Sequence, residues 1–150
     1  MLHINLRTIS KFNLIFILFL ILYLLLGIYL LKYYQFDPIS RDLISIMSIA
    51  KIYAAGEVNN AINGYWGPMF SWLLVPFIIS NPTPQFTLYS TKILTVIIGF
   101  FTIIGVRFLS YRFEIEEDVR TALLFPVIFI ILYFALRLNP VDLLLLCFLV

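Results

Sequence analysis

Phe12 to Leu31 is a run of twenty residues broken only by Asn13 and Gly27. At about 1.5 Å per residue, a helix of that length crosses a hydrocarbon layer about 30 Å thick. Few features restrict a chain more, because in hydrocarbon every backbone donor and acceptor must be satisfied inside the segment, which leaves helix as the only single-segment solution. Arg7 and Lys11 precede the run, and the positive-inside rule then puts the N-terminus on the inner side. The run is longer than the apolar region of a signal peptide, and Ile28-Tyr29-Leu30-Leu31-Lys32 offers no small-residue cleavage site, so the segment is expected to remain as an uncleaved anchor. Two further runs, 86–109 and 121–138, predict a second and a third span. In the second, Lys92 and Arg107 are expected to snorkel to the headgroups, and in the third Pro126 is expected to kink the helix. A further span is expected to start at 142. Only eight apolar residues, Leu143 to Val150, come after that point, so residues 1–150 are read as the N-terminal portion of a single transmembrane domain, truncated from a longer chain.

Composition agrees with that class. The chain is 63% apolar and 12% charged, with a mean hydropathy of +1.05, where a soluble domain is roughly half apolar and about a quarter charged. An all-α, multi-pass integral protein of the cell membrane is the expectation. The net charge of +2 comes from scattered rather than clustered basic residues, which gives no ground for a nucleic-acid partner. The single cysteine, Cys147, lies in a leucine run and reads as a packing thiol, and the lone His3 is given no role.

Between the first two spans lies a long outer loop, 32–85. Within it Ile39, Leu43, Ile46, Met47, Ala50, Tyr53 and Ala54 fall on one helical stripe, while Arg41, Asp42, Ser45, Ser48, Lys51 and Ile52 fall on the other face. That pattern predicts an amphipathic juxtamembrane helix lying along the membrane surface. Asp37-Pro38 is expected to cap its start and Gly56 to stop it. Asn63-Gly64-Tyr65-Trp66-Gly67-Pro68 predicts a reversal at headgroup depth, with Pro68 opening the next helix. The apolar piece 69–80 contains Pro76 and is too short to span, so it is expected to be interfacial or re-entrant. The stretch 110–120 is expected to be an inner loop whose acids, Glu114, Glu116, Glu117 and Asp118, form a solvated face.

An acid in the first turn of a surface helix feels the positive end of the helix dipole, which favours its charged form and suits it to accept a proton or bind a cation. Asp42 is the best-placed candidate, with Asp37 as its alternative; both could equally be caps. Asp142, beside Asn139-Pro140, could cap the next helix or share a divalent metal ion or substrate with Asp42. Tyr65, Trp66, Phe70 and Trp72 could stack on a sugar or anchor the loop. No Gly-rich phosphate loop, His cluster, Cys pair or nucleophile elbow is present.

The segments Asp42 to Gly56 and Ala61 to Leu74, the latter containing Gly67-Pro68-Met69-Phe70, resemble the N-terminal module of GT-C glycosyltransferases, the superfamily of the protein mannosyltransferases and lipid A aminoarabinose transferases. Asn139-Pro140-Val141-Asp142 is similar to the family's second acid after a proline, with one residue inserted, and the likeness runs from about residue 10 to the end. Two departures stand out: Ile46 occupies a place where an aromatic often follows the acid, and Asp37 competes with Asp42. The resemblance implies transfer of a sugar, with inversion, from a polyprenyl-phosphate donor to a hydroxyl acceptor (glycan, lipid or protein) on the outer face. Asp42 would activate the acceptor and Asp142 would assist. The family's later loops are missing, which implies that this piece is inactive alone.

A lipid-linked donor keeps its phosphate at headgroup depth, where a surface helix can hold a carboxylate. Arg41 and Arg137 could offset phosphate charge, and Tyr65 and Trp66 could contact the sugar. The competing class is a transporter subunit or a small non-catalytic scaffold. Its spans would carry inward-facing polar groups or broken helices at mid-depth, for which Asn13 and the span prolines are thin support.

Overall fold

The computed structural model describes residues 6–34, 40–62, 68–137 and 140–150. Among them every regular element is a helix: α1 Leu6–Tyr34, α2 Arg41–Ala54, α3 Val58–Ala61, α4 Met69–Ile78, α5 Pro84–Arg112, α6 Glu117–Arg137 and α7 Pro140–Leu149. Three of these, α1, α5 and α6, are long and apolar enough to cross a membrane. Helices α1 and α5 overrun their apolar runs at both ends and α6 does so at its start, where polar residues continue the helix.

Helix directions are set by side-chain contacts. Arg107, late in α5, meets Asn13, early in α1, at 3.1 Å, and the Tyr23 hydroxyl donates to the Val96 carbonyl at 3.0 Å. These two helices are therefore antiparallel, and the chain between them leaves and re-enters the bundle at one end. At about 1.5 Å per residue, α4 is only half as long as a hydrocarbon layer is thick. Helix α6 runs parallel to α1, with Phe19 against Phe125 at 6.4 Å between ring centroids and Tyr34 beneath Arg137 at 4.9 Å. Its last turn meets Lys92 and Thr95 of α5, after which α7 returns along α5 until Val150 reaches Gly105.

The bundle closes around α5, which packs on α1, α4, α6 and α7. Its buried face carries small residues, among them Thr87, Thr91, Thr95, Gly99 and Thr102, which let neighbouring backbones come close. Gly99 is the tightest place: an added Cβ would overlap the Tyr23 hydroxyl and lie 2.8 Å from Ile131 Cγ2.

Helix α2 buries Leu43, Ile46, Met47, Ile49 and Ala50 and packs on α4, where Ser71 donates to the Ile46 carbonyl at 3.1 Å. Arg41, Asp42 and Ser48 face outward. The start of this helix differs from the expectation: Ser40, in extended conformation, is the cap, its hydroxyl accepting from the Leu43 amide at 3.1 Å. Serine fits because its short oxygen reaches back to a first-turn N–H. Asp37, Pro38 and Ile39 lie outside the described residues. At the other end Gly56 adopts φ +81°, and the Gly56 and Glu57 amides bond to Tyr53 and Ile52 at 3.0 and 3.1 Å, which satisfies two orphan carbonyls. The same closure ends α5, where Glu114 takes φ +53° in the position glycine usually fills.

Two expectations about charge are corrected. Lys92 and Arg107 do not extend outward from the bundle; both are 5% exposed and bond to neighbouring helices. Nor is the 110–120 stretch wholly a solvated face. Glu117 pairs with Arg120 at 2.8 Å and accepts from the Tyr111 hydroxyl at 3.0 Å. Arg120 in turn lies over the Tyr111 ring at 3.5 Å. Glu114, Glu116 and Asp118 are exposed.

Candidate functional site

One end of the bundle collects the candidate residues. Leu88, in the second turn of α5, lines a hollow of about 290 Å³ together with Met47, Ser48 and Lys51 of α2, so the surface helix sits at the end where α5 begins. Lys92 and Leu136 place the last turn of α6 at that same end. Asp42 and Arg41, in the first turn of α2, are exposed there, as are Arg137, the last residue of α6, and Asp142, in the first turn of α7. Each acid stands in the first turn of its helix. Tyr65 and Trp66 lie outside the described residues, as do Asp37 and Asn139. Of the other two aromatics, Phe70 is buried in the core while Trp72 is exposed and stands edge-on to Tyr53 at 6.0 Å.

Below Arg137 a groove of about 500 Å³ opens between α1 and α6. Its walls are Leu26, Leu30, Phe129, Leu132 and Leu136, and its mouth is formed by Tyr34, Tyr133 and Arg137. The guanidinium lies over the Tyr34 ring at 4.9 Å, a cation–π contact that orients it at the mouth. The arrangement is amphipathic along its length: alkyl and aromatic walls inside, one cation and two phenols where the helices end. A ligand with an apolar tail and an anionic head matches it.

Sequence patterns alone do not point to the groove or its two tyrosines. One signal does exist: Tyr34 and Tyr133 sit close to the ends of their apolar runs, where interfacial aromatics collect. What no sequence pattern provides is that α1 and α6, separated by more than 80 residues, run side by side.

Among the described residues no group of three or more His, Cys, Asp or Glu side chains is close enough to hold a metal ion. Asp42 and Asp142 stand on two separate helices, α2 and α7. No protein-family model matches the chain, and neither a curated protein nor a solved structure is significantly similar to it.

Proposed function

We propose that this chain forms part of a multi-pass cell-membrane glycosyltransferase of the GT-C type, which moves a sugar from a polyprenyl-phosphate carrier to a hydroxyl acceptor at the outer face. The observation that carries this reading is the α1–α6 groove, apolar along its walls and headed by Arg137, at the end of the bundle where α2 displays Asp42. In this reading the carrier's isoprenoid tail lies against Leu26, Leu30 and Phe129 while its phosphate meets Arg137.

Asp42 then takes the proton of the acceptor hydroxyl as that oxygen bonds to the anomeric carbon. The bond from that carbon to the phosphate oxygen breaks, and the phosphate leaves on its lipid with the electron pair. Arg137 offsets the charge developing on the leaving group. Because attack and departure occur on opposite faces of the carbon, the product is inverted.

The competing reading, a transporter or a scaffold, would draw on the polar side chains within the spans. Asn13, Lys92 and Arg107 each bond to a neighbouring helix, which is the behaviour of structural groups and lends that reading no support.

The test is transfer of labelled sugar from a polyprenyl-phosphate donor by the full-length protein in proteoliposomes. Asp42→Asn is expected to abolish transfer with membrane insertion unchanged, and Arg137→Gln to weaken donor binding. Full turnover by Asp42→Asn would remove Asp42 from the reaction. A photoreactive polyprenyl phosphate that labelled the lipid-facing side of α1, at Leu18 and Leu25, as readily as Leu30 and Phe129 would remove the groove.

A further inference from the structure

Lys92 is a cation held away from water, with 5% of its surface exposed in an apolar helix. Burial of that kind is tolerated only where electronegative atoms take the ammonium protons. Its Nζ donates to the carbonyl of Leu136. One turn further along α5, the Thr95 hydroxyl donates to the carbonyl of Ala135 at 2.7 Å. Ala135 and Leu136 are consecutive residues in the last turn of α6, which ends at Arg137.

Carbonyls in a last turn have no donor four residues ahead within the helix. Here the deficit is sharpened by the sequence, because the residue four beyond Leu136 is Pro140, which has no N–H to offer. Two side chains of α5 thus supply donors to the end of α6. The ammonium also meets the negative end of that helix's dipole, an attraction that threonine alone could not provide. Arg137 and Asp142 both lie within seven residues of the bonded carbonyls, on the chain that leaves this turn.

We propose that Lys92 and Thr95 clamp the α6–α7 hairpin, and that Lys92 is the positioning residue for Arg137 and Asp142. The clamp stands on the hydrogen bonds to Ala135 and Leu136; its consequence for turnover rests on the glycosyl-transfer reading. Methionine at position 92 keeps the unbranched apolar stem of lysine and removes the ammonium, with both its donors and its charge. A side chain that merely filled space would tolerate that change. A clamp would not.

The experiment uses the full chain in nanodiscs with Cys147→Ala, so that nitroxide labels can be placed at Ser48→Cys on α2 and Asp142→Cys on α7. The distance distribution between them is expected to be narrow with Lys92 in place. It should lose its single narrow peak in Lys92→Met and recover it in Lys92→Arg, which restores a cationic donor. Thr95→Val should broaden it to a smaller extent and serves as the readout if Lys92→Met fails to insert. A distribution unchanged in Lys92→Met, or in Thr95→Val where that variant stands in for it, overturns the clamp. In unlabelled protein, misplacement of the reacting groups predicts about a tenfold fall in kcat for Lys92→Met, with recovery in Lys92→Arg. A broadened distribution with full turnover would leave the clamp standing and remove Arg137 and Asp142 from the reaction, so the two failures are told apart.

Discussion

Gly99→Ala is the substitution that most directly probes how the three long helices meet. The new methyl would overlap the Tyr23 hydroxyl, lie 2.8 Å from Ile131 Cγ2 and lie 3.1 Å from Tyr23 Cζ. Tyr23 is fully buried and its hydroxyl donates to the Val96 carbonyl at 3.0 Å, so the ring cannot swing aside without breaking that bond. Overpacking of a close-fitted site costs about 1–3 kcal/mol, and an interhelical hydrogen bond in a membrane protein contributes about 0.6 to 1.7 kcal/mol. Gly99→Ala should therefore cost about 2–4 kcal/mol. Tyr23→Phe alone should cost no more than the hydrogen bond. In the double variant the first obstruction has gone while the Ile131 contact remains, so the combined loss should fall short of the sum by about 1–2 kcal/mol. Equilibrium unfolding in mixed micelles, followed by helical ellipticity, gives the four corners of the cycle. Additivity to within about 0.5 kcal/mol would show that Tyr23 and Gly99 do not share the space the structure assigns them.

Three smaller perturbations test other joints. Ser40→Ala removes the oxygen that accepts from Leu43 and should cost α2 about 1 kcal/mol, read as faster hydrogen exchange in its first turn; unchanged protection there would place the cap elsewhere. Glu114→Gly relieves a left-handed backbone at φ +53° and should stabilise the α5–α6 turn by roughly 0.5–1 kcal/mol, whereas a lower melting temperature would contradict that conformation. Asn13→Leu strips the Arg107 guanidinium of an acceptor and should cost about 1.5–3 kcal/mol. Adding Arg107→Leu should recover part of that loss, because no charge is then left buried short of a partner; a double variant worse than Asn13→Leu alone would refute the pairing.

Much of the helix inventory is legible in the residues, because span length, the α2 stripe and Gly56 are local signals. The Leu43, Ile46, Met47, Ala50 face is buried as its spacing requires, and residues 69–80 yield a helix too short to cross. The misses share one cause. Asp37-Pro38 offers a more familiar capping pair than Ser40, and only backbone geometry shows which residue turns extended. Lys92, Arg107 and Glu117 read as headgroup or solvent contacts because a lone charge in a sequence shows its cost and not its partner. Leu136, Asn13 and Tyr111 lie on other helices than the charges they meet, and only Arg120, three residues beyond Glu117 on α6, is a local partner. The α1–α6 groove is out of reach for the same reason: its walls come from two helices that only the tertiary fold brings together.

Where the polar groups sit bears on what such a bundle can do. Asn13, Arg107, Tyr111, Glu117 and Arg120 gather at one end, tied to each other by contacts of 2.8 to 3.1 Å, and Lys92 with Thr95 closes the last turn of α6 toward the other. Between them the core is mainly Leu, Ile and Val with the Tyr23–Val96 bond and Thr102, whose hydroxyl returns to its own helix. Conduction of a polar solute needs polar groups facing a passage at mid-depth, and here the mid-depth hydroxyls are already bonded to backbone carbonyls. Work at an interface needs the reverse: a rigid apolar body that holds a few charged side chains steady where water begins. Arg41, Asp42, Arg137 and Asp142 are exposed at one end, on helices whose other faces are packed, and this is the distribution of polarity that the glycosyl-transfer proposal draws on.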